Sequence, residues 1–231
     1  FGPPRTFTGD EVRVGPPEAR ILDGFVRIDG YVVLRGPFSH VDVMAGHVLS
    51  VMVFPLLRPI GIFAQDTATL GSAQIIAQAG PCLVRNGGLP IVASMRFRTD
   101  YLAPLATNNQ LVDVMTHEMI HTLGFNSTTF GMRPDSVNPL ITGAGSSATA
   151  FRGSNAKIAC LTFSPTVSST CSPTIPLENI GGSGTADDHW RESIFKTELM
   201  TGTIEARGVR MPLSAMTLGA LADLGYTVTT S

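Results

Sequence analysis

Between Asn108 and Phe125 the apolar residues Leu111, Val112, Val114, Met115, Met119, Ile120 and Leu123 recur at three- and four-residue spacings. That period predicts an amphipathic helix, with Asn109 near its start and Gly124 as its stop. A second helix is predicted at the end of the chain, with Pro212, Leu213 and Ser214 as its cap, Met216 to Leu224 as its body and Gly225 as its stop. Upstream the pattern is β-like. Ala19 to Leu34 reads as a pair of short strands with Asp23-Gly24 and Asp29-Gly30 as turn signals. Val48 to Phe54, Ile60 to Ala64 and Ile91 to Phe97 read as further strands. Gly and Pro across 80–90 punctuate the chain before the last of these, and residues 1–20 read as an irregular, Pro-containing lead-in. Residues 126–185 are mostly Ser, Thr, Gly, Asn and Pro with short apolar islands. This pattern predicts a long surface excursion with little core of its own, tolerant of nicking and shortening.

Composition narrows the function classes. The chain has 231 residues, 43% hydrophobic and 15% charged, enough for a real core. Sixteen basic against eighteen acidic residues leave a net charge of −2, which excludes a nucleic-acid binder working through a broad basic field. The longest apolar run, Val48 to Leu57, is interrupted by Ser50 and Pro55 and is too short to span a membrane. The chain starts at Phe1 rather than Met, so any signal or pro-segment is expected to have been removed or left out, which says nothing about secretion. Cys160 and Cys171 lie eleven apart in a polar stretch where a loop-closing disulfide is plausible, and Cys82 reads as a buried free thiol. The sequon Asn126-Ser127-Thr128 matters only in a glycosylating secretory pathway, and Gly181 to Gly184 reads as a flexible lead rather than a phosphate loop.

The chemistry concentrates in His117-Glu118-Met119-Ile120-His121, inside the predicted helix. Four residues return a helix to nearly the same face, so the two imidazoles can grip one metal ion. Glu118 projects to the side, where its carboxylate can take a proton from a zinc-bound water attacking a carbonyl. With five His and seven Glu in 231 residues, about 0.003 chance matches to this spacing are expected. A catalytic zinc needs a third protein ligand and an open position. The position ten residues after His117 is Ser127, so a compact third His is excluded. His189 is the only His downstream, with Glu192 and Glu198 as rival ligands near it. His40 and His47 fall in β-like sequence and read as exposed or core residues.

The order His117-Glu118-x-x-His121-x-x-Gly124-Phe125, a long insertion, His189-Trp190, then Glu198-Leu199-Met200-Thr201-Gly202 resembles the leishmanolysin family of metzincin zinc proteases. The likeness continues through Pro212-Leu213-Ser214, Thr217 and Ala222-Asp223-Leu224-Gly225-Tyr226, and upstream through Gly80-Pro81-Cys82 and Gly88-Leu89-Pro90, as in bacterial members. It covers roughly residues 75–231. The resemblance implies an α+β, metzincin-like single catalytic domain with a mixed sheet. Its upper subdomain is 1–125, its loop-rich insertion 126–185 and its lower subdomain 186–231. It implies one catalytic zinc on His117, His121 and His189, Glu118 as general base, and Met200 as the Met-turn residue. It implies endopeptidase action on protein or peptide substrates, outside the cell or at its surface. A zincin-type hydrolase of another substrate, and a non-catalytic zinc-containing adhesion or binding module, are the competing readings. The intact Glu118 argues against the second, since a structural site needs no base.

Overall fold

A computed structural model describes residues 21–22, 25–28, 31–34, 49–53, 60–68, 70, 75–85, 88–132 and 139–228. The lead-in, the two Asp-Gly turns, His40 and His47 lie outside them.

Among the described residues, seven strands form one mixed sheet. β1 (Ile21–Leu22), β2 (Phe25–Ile28), β3 (Tyr31–Leu34), β4 (Leu49–Val53), β5 (Ile60–Thr67), β6 (Ala77–Val84) and β7 (Pro90–Arg98) lie in the order β1-β2-β3-β4-β5-β7-β6. The pairs β3/β4 and β5/β7 are parallel and the rest antiparallel. Ala19 to Leu34 thus yields three short strands rather than two, one on each side of each Asp-Gly pair. Along β7, Ala93, Met95 and Phe97 are buried while Ser94, Arg96 and Arg98 are half-exposed, the alternation of a sheet with one covered face. Ile62 and Ala64 of β5 are buried in the same core cluster.

The Gly-Pro segment before β7 corrects the sequence reading. Gly80 and Pro81 are not a break but part of β6, an end strand of the described sheet that pairs only with β7, and the turn comes later, where Gly88 takes φ 83°. Pro81 is tolerated there because an edge strand can do without one ladder donor. The register shifts between Pro81 and Leu83, and Cys82 is an exposed free thiol rather than a buried one.

After β7 come α1 (Thr99–Thr107) and α2 (Leu111–Thr122). The α1 helix escaped the sequence pattern because Pro104 stands inside it and Leu105 is its only buried residue. α2 is the predicted helix, and it packs across β6 and β7. Gly124, at φ 98°, takes the left-handed conformation that ends it.

Residues 126–185 fold as α3 (Ser127–Gly131), β8 (Ile141–Thr142), β9 (Ala150–Phe151), α4 (Ser154–Cys160), α5 (Pro165–Ser168) and β10 (Ile175–Pro176). The three strands form a small antiparallel sheet, β10-β9-β8. The short apolar islands are core: Phe130, Phe151, Ala156, Ile175 and Leu177 are fully buried. The expectation of a surface excursion is therefore wrong, because a few well-placed apolar residues suffice when a neighbouring element completes their burial. Cys160 and Cys171 are bridged, as expected.

The chain closes with α6 (Glu192–Phe195) and α7 (Ala215–Leu224). Ser214 caps α7 by accepting from the Thr217 N–H at 3.3 Å, and Gly225 at φ 105° ends it, both as the sequence predicts. α7 packs on α4 so closely that a Cβ on Gly219 would lie 2.7 Å from the Ala156 backbone.

Gly219→Ala should reverse the usual sign of such a change. In an open helix the substitution stabilises by about 1 kcal/mol. Here the obstruction is backbone, so overpacking of about 1–3 kcal/mol should dominate. A urea midpoint at or above wild type would show that α4 and α7 separate freely.

Candidate metal centre

The spacing of His117 and His121 puts both rings on one face of α2, 4.7 Å apart between centroids. His189 arrives from the far side of the 126–185 segment, its ring stacked on His117 at 5.0 Å. The Nε2 atoms of His117 and His121 are 3.0 Å apart, His117 and His189 3.0 Å, and His121 and His189 3.1 Å. No other group of three or more His, Cys, Asp or Glu among the described residues could hold a metal ion.

Backbone carbonyls decide the tautomers. The Nδ1–H of His117 donates to Leu199 O at 2.6 Å, that of His121 to Phe125 O at 2.7 Å, and that of His189 to Thr185 O at 3.0 Å. A carbonyl only accepts, so each Nδ1 holds its ring's single proton and each Nε2 carries a bare lone pair. Three lone pairs facing one point at this separation repel one another unless a cation lies among them. The donor set suits zinc, which takes neutral imidazole nitrogens with their other N–H groups held by hydrogen bonds. Burial resists protonation as an alternative. It lowers His117 to about 3, with His189 adding to the effect, and His189 to about 4. It also holds His121 well below its ordinary value, assisted by the other two rings.

Glu118 is buried beside them, with Oε2 free of any hydrogen-bond partner, and burial raises its carboxyl to about 8. It opens with the three imidazoles onto a cleft of about 1180 Å³. β6 and α2 line it, together with the segments around Glu178 to Thr185 and Thr201 to Ile204. The polar segment after Phe125 thus contributes cleft wall as well as core.

The rival ligands separate clearly. Glu198 is buried and both its oxygens are taken up by donors from Met200, Ser214 and Thr217. Glu192 lines the cleft but is not part of the three-imidazole group. Met200 is fully buried, next to the Leu199 carbonyl that receives His117. The Asn126 sequon is turned inward, since its Oδ1 accepts the Thr129 N–H and its Nδ2 is buried.

Leu199, Phe125 and Thr185 were missed as site residues because they act through carbonyls, which side-chain identity does not encode. A weak signal existed: Phe125 lies four residues after His121, and Thr185 four before His189. Gly202 was also missed. A Cβ there would meet Thr185 Cγ2 at 2.8 Å and the His189 ring at 3.5 Å.

The pocket makes a pH prediction for chelator-stripped protein. Below about pH 6.5 the unfolded chain protonates these three His, while in the native state His189 resists until about pH 4, His117 until about pH 3 and His121 stays well below its ordinary value, so stability falls on acidification. Glu118 acts oppositely: the native state keeps its proton up to about 8 and the unfolded state only to 4.5, so stability falls as pH rises through that window. Three groups against one place the maximum from these residues near pH 7, by about a unit. Urea midpoints from pH 4 to 8 should show it, and Glu118→Gln should remove the alkaline decline. A flat profile below pH 6.5 would contradict the buried neutral imidazoles.

Comparison with known proteins places these residues in a wider group. Residues 62–230 match a family model described as leishmanolysin. The chain is 28% identical over 171 residues to the ciliated left-right organizer metallopeptidase of Xenopus laevis, covering 71% of this chain and 24% of that protein. It is 31% identical over 168 residues to a leishmanolysin homolog of Crithidia fasciculata, covering 67% of this chain and 23% of that protein. The chain therefore spans about a quarter of the length of these curated relatives.

Proposed function

Because the chain belongs to the leishmanolysin family, we propose that it is the catalytic domain of a zinc-dependent metalloendopeptidase that hydrolyses peptide bonds in proteins. The convergence of three Nε2 lone pairs beside a buried, unpartnered carboxylate oxygen carries the reading. Family membership supports zinc as the ion, and the metallopeptidase similarity supports a peptide substrate.

His117, His121 and His189 would hold the ion through Nε2, each ring fixed by its carbonyl partner. Zinc, when bound, supplies a Lewis acid that polarises the scissile carbonyl and acidifies water. Glu118 takes the proton of the water whose oxygen bonds to the carbonyl carbon. It then returns that proton to the amine nitrogen as the C–N bond breaks. Burial alone raises its carboxyl, and a cation held by the three imidazoles would favour the ionised form that can accept the proton. The cleft along β6 receives an extended peptide. The metzincin architecture, the assignment of Glu198 to Gly202 as the Met-turn around Met200, and the division at 125 and 185 belong to the same reading. The Cys160–Cys171 disulfide supports a working environment outside the cytosol.

Purified protein should contain one zinc per chain and should cleave a denatured protein substrate in a chelator-sensitive way. Glu118→Gln should retain the zinc and lose activity by at least about 10²-fold. His189→Ala should lose the zinc. Near wild-type cleavage by Glu118→Gln would remove that residue from the mechanism, and zinc held unchanged by His189→Ala would remove the ligand set.

A further inference from the structure

Glu198 was a rival metal ligand in the sequence, and the mechanism leaves its charge unexplained. Its carboxylate is 5% exposed and meets four donors. Oε2 accepts the Met200 N–H at 2.5 Å. Oε1 accepts the Ser214 N–H at 3.2 Å and the hydroxyls of Ser214 and Thr217, both at 2.6 Å. The hydroxyl protons have no other destination. Ser214 Oγ already accepts the Thr217 N–H, and Thr217 Oγ1 accepts Trp190 Nε1–H at 2.8 Å. Only a group with two proton-free oxygens satisfies this set, and the N-terminus of α7 favours its negative charge.

The donors lead to two of the three imidazoles. Between Glu198 and Met200, the Leu199 carbonyl receives the Nδ1–H of His117. Trp190, next in chain to His189, donates its backbone N–H to Met200 O at 2.9 Å and its indole N–H to Thr217. The turn that orients His117 and the isolated β-bridge at Trp190 that presents His189 are thus both fastened through one buried carboxylate. We propose that Glu198 is a positioning residue for the metal centre. It holds the Leu199–Met200 turn against His117 and, through Thr217 and Trp190, sets the approach of His189. This rests on the zinc reading above.

A purely structural carboxylate is available for comparison. Asp223 is equally buried and caps α4 by accepting the Asn155 and Ala156 N–H groups, both at 2.9 Å, yet it bonds to no segment that reaches an imidazole. In Glu198→Gln, one amide NH2 must face either the Met200 N–H or the Ser214 and Thr217 donors, and that clash releases the turn.

The test uses zinc-loaded full-length protein, with zinc affinity read by competition against a chromophoric chelator and geometry by the visible spectrum of the Co²⁺-substituted form. Glu198→Gln should weaken zinc binding by about 10- to 100-fold, the range for groups that orient metal ligands, and shift the cobalt bands. Asp223→Asn should lower the urea midpoint while leaving affinity and spectrum at wild-type values. Wild-type affinity and spectrum in Glu198→Gln, or an equal loss in Asp223→Asn, overturns the positioning role. Should Glu198→Gln not fold, Thr217→Val removes one donor and the Trp190 acceptor together. A several-fold weaker zinc site with shifted bands then supports the role, and unchanged values overturn it. A wild-type chain that takes up no zinc at all overturns the metal reading and, with it, this one.

Discussion

Three imidazole lone pairs held 3.0–3.1 Å apart in a buried pocket are the constraint on which this structure turns. Such an arrangement is repulsive by itself, and burial blocks relief by protonation. It persists because each ring is held at its opposite nitrogen by a carbonyl from a different part of the chain: the end of α2, the loop before His189, and the turn before Met200. A cation among the three nitrogens would turn that repulsion into binding, with the organisation already supplied by the fold. The three rings are preorganised by peptide geometry.

The rest of the lower chain fastens α2 in place. Its first turn is held by Arg210, whose guanidinium meets the buried Asp113 carboxylate at 2.9 and 3.0 Å, while Met211 donates its backbone N–H to the same group. Just before the helix, Gln110 Nε2 donates to Glu205 O. Just beyond it, the Tyr226 hydroxyl donates to Leu123 O at 2.9 Å. These contacts span about a hundred residues of sequence, from 95 to 103 apart. Breaking either end would let the helix rotate, and a small rotation separates nitrogens that must meet at one point.

Between the second and third imidazoles, the polar segment builds a floor. Phe125, Phe130, Phe151 and Trp190 pack edge to face, with neighbouring centroids 4.9–5.5 Å apart. This cluster ties the residue that receives His121 to the residue that follows His189. Composition hid it. Ser, Thr and Gly dominate the segment, and Phe130 and Phe151 show no period because they sit in elements of five and two residues, too short to repeat one.

The helices were legible because their information is local. α2 announces itself by apolar spacing, α7 by Ser214 and Gly225, and the pair His117 and His121 by a four-residue return that any helix enforces. His189 was reachable by elimination, since it is the only downstream His. What the sequence could not determine was whether an acidic residue near His189 joins the imidazoles or supports them from behind, because Glu192 and Glu198 look alike until their partners are in place. Nor could it reveal the carbonyls of Leu199, Phe125 and Thr185, the edge position that admits Pro81, or the contact that demands Gly219. Each depends on what the chain brings alongside from far away, and backbone groups, which every residue shares, leave no mark in the sequence.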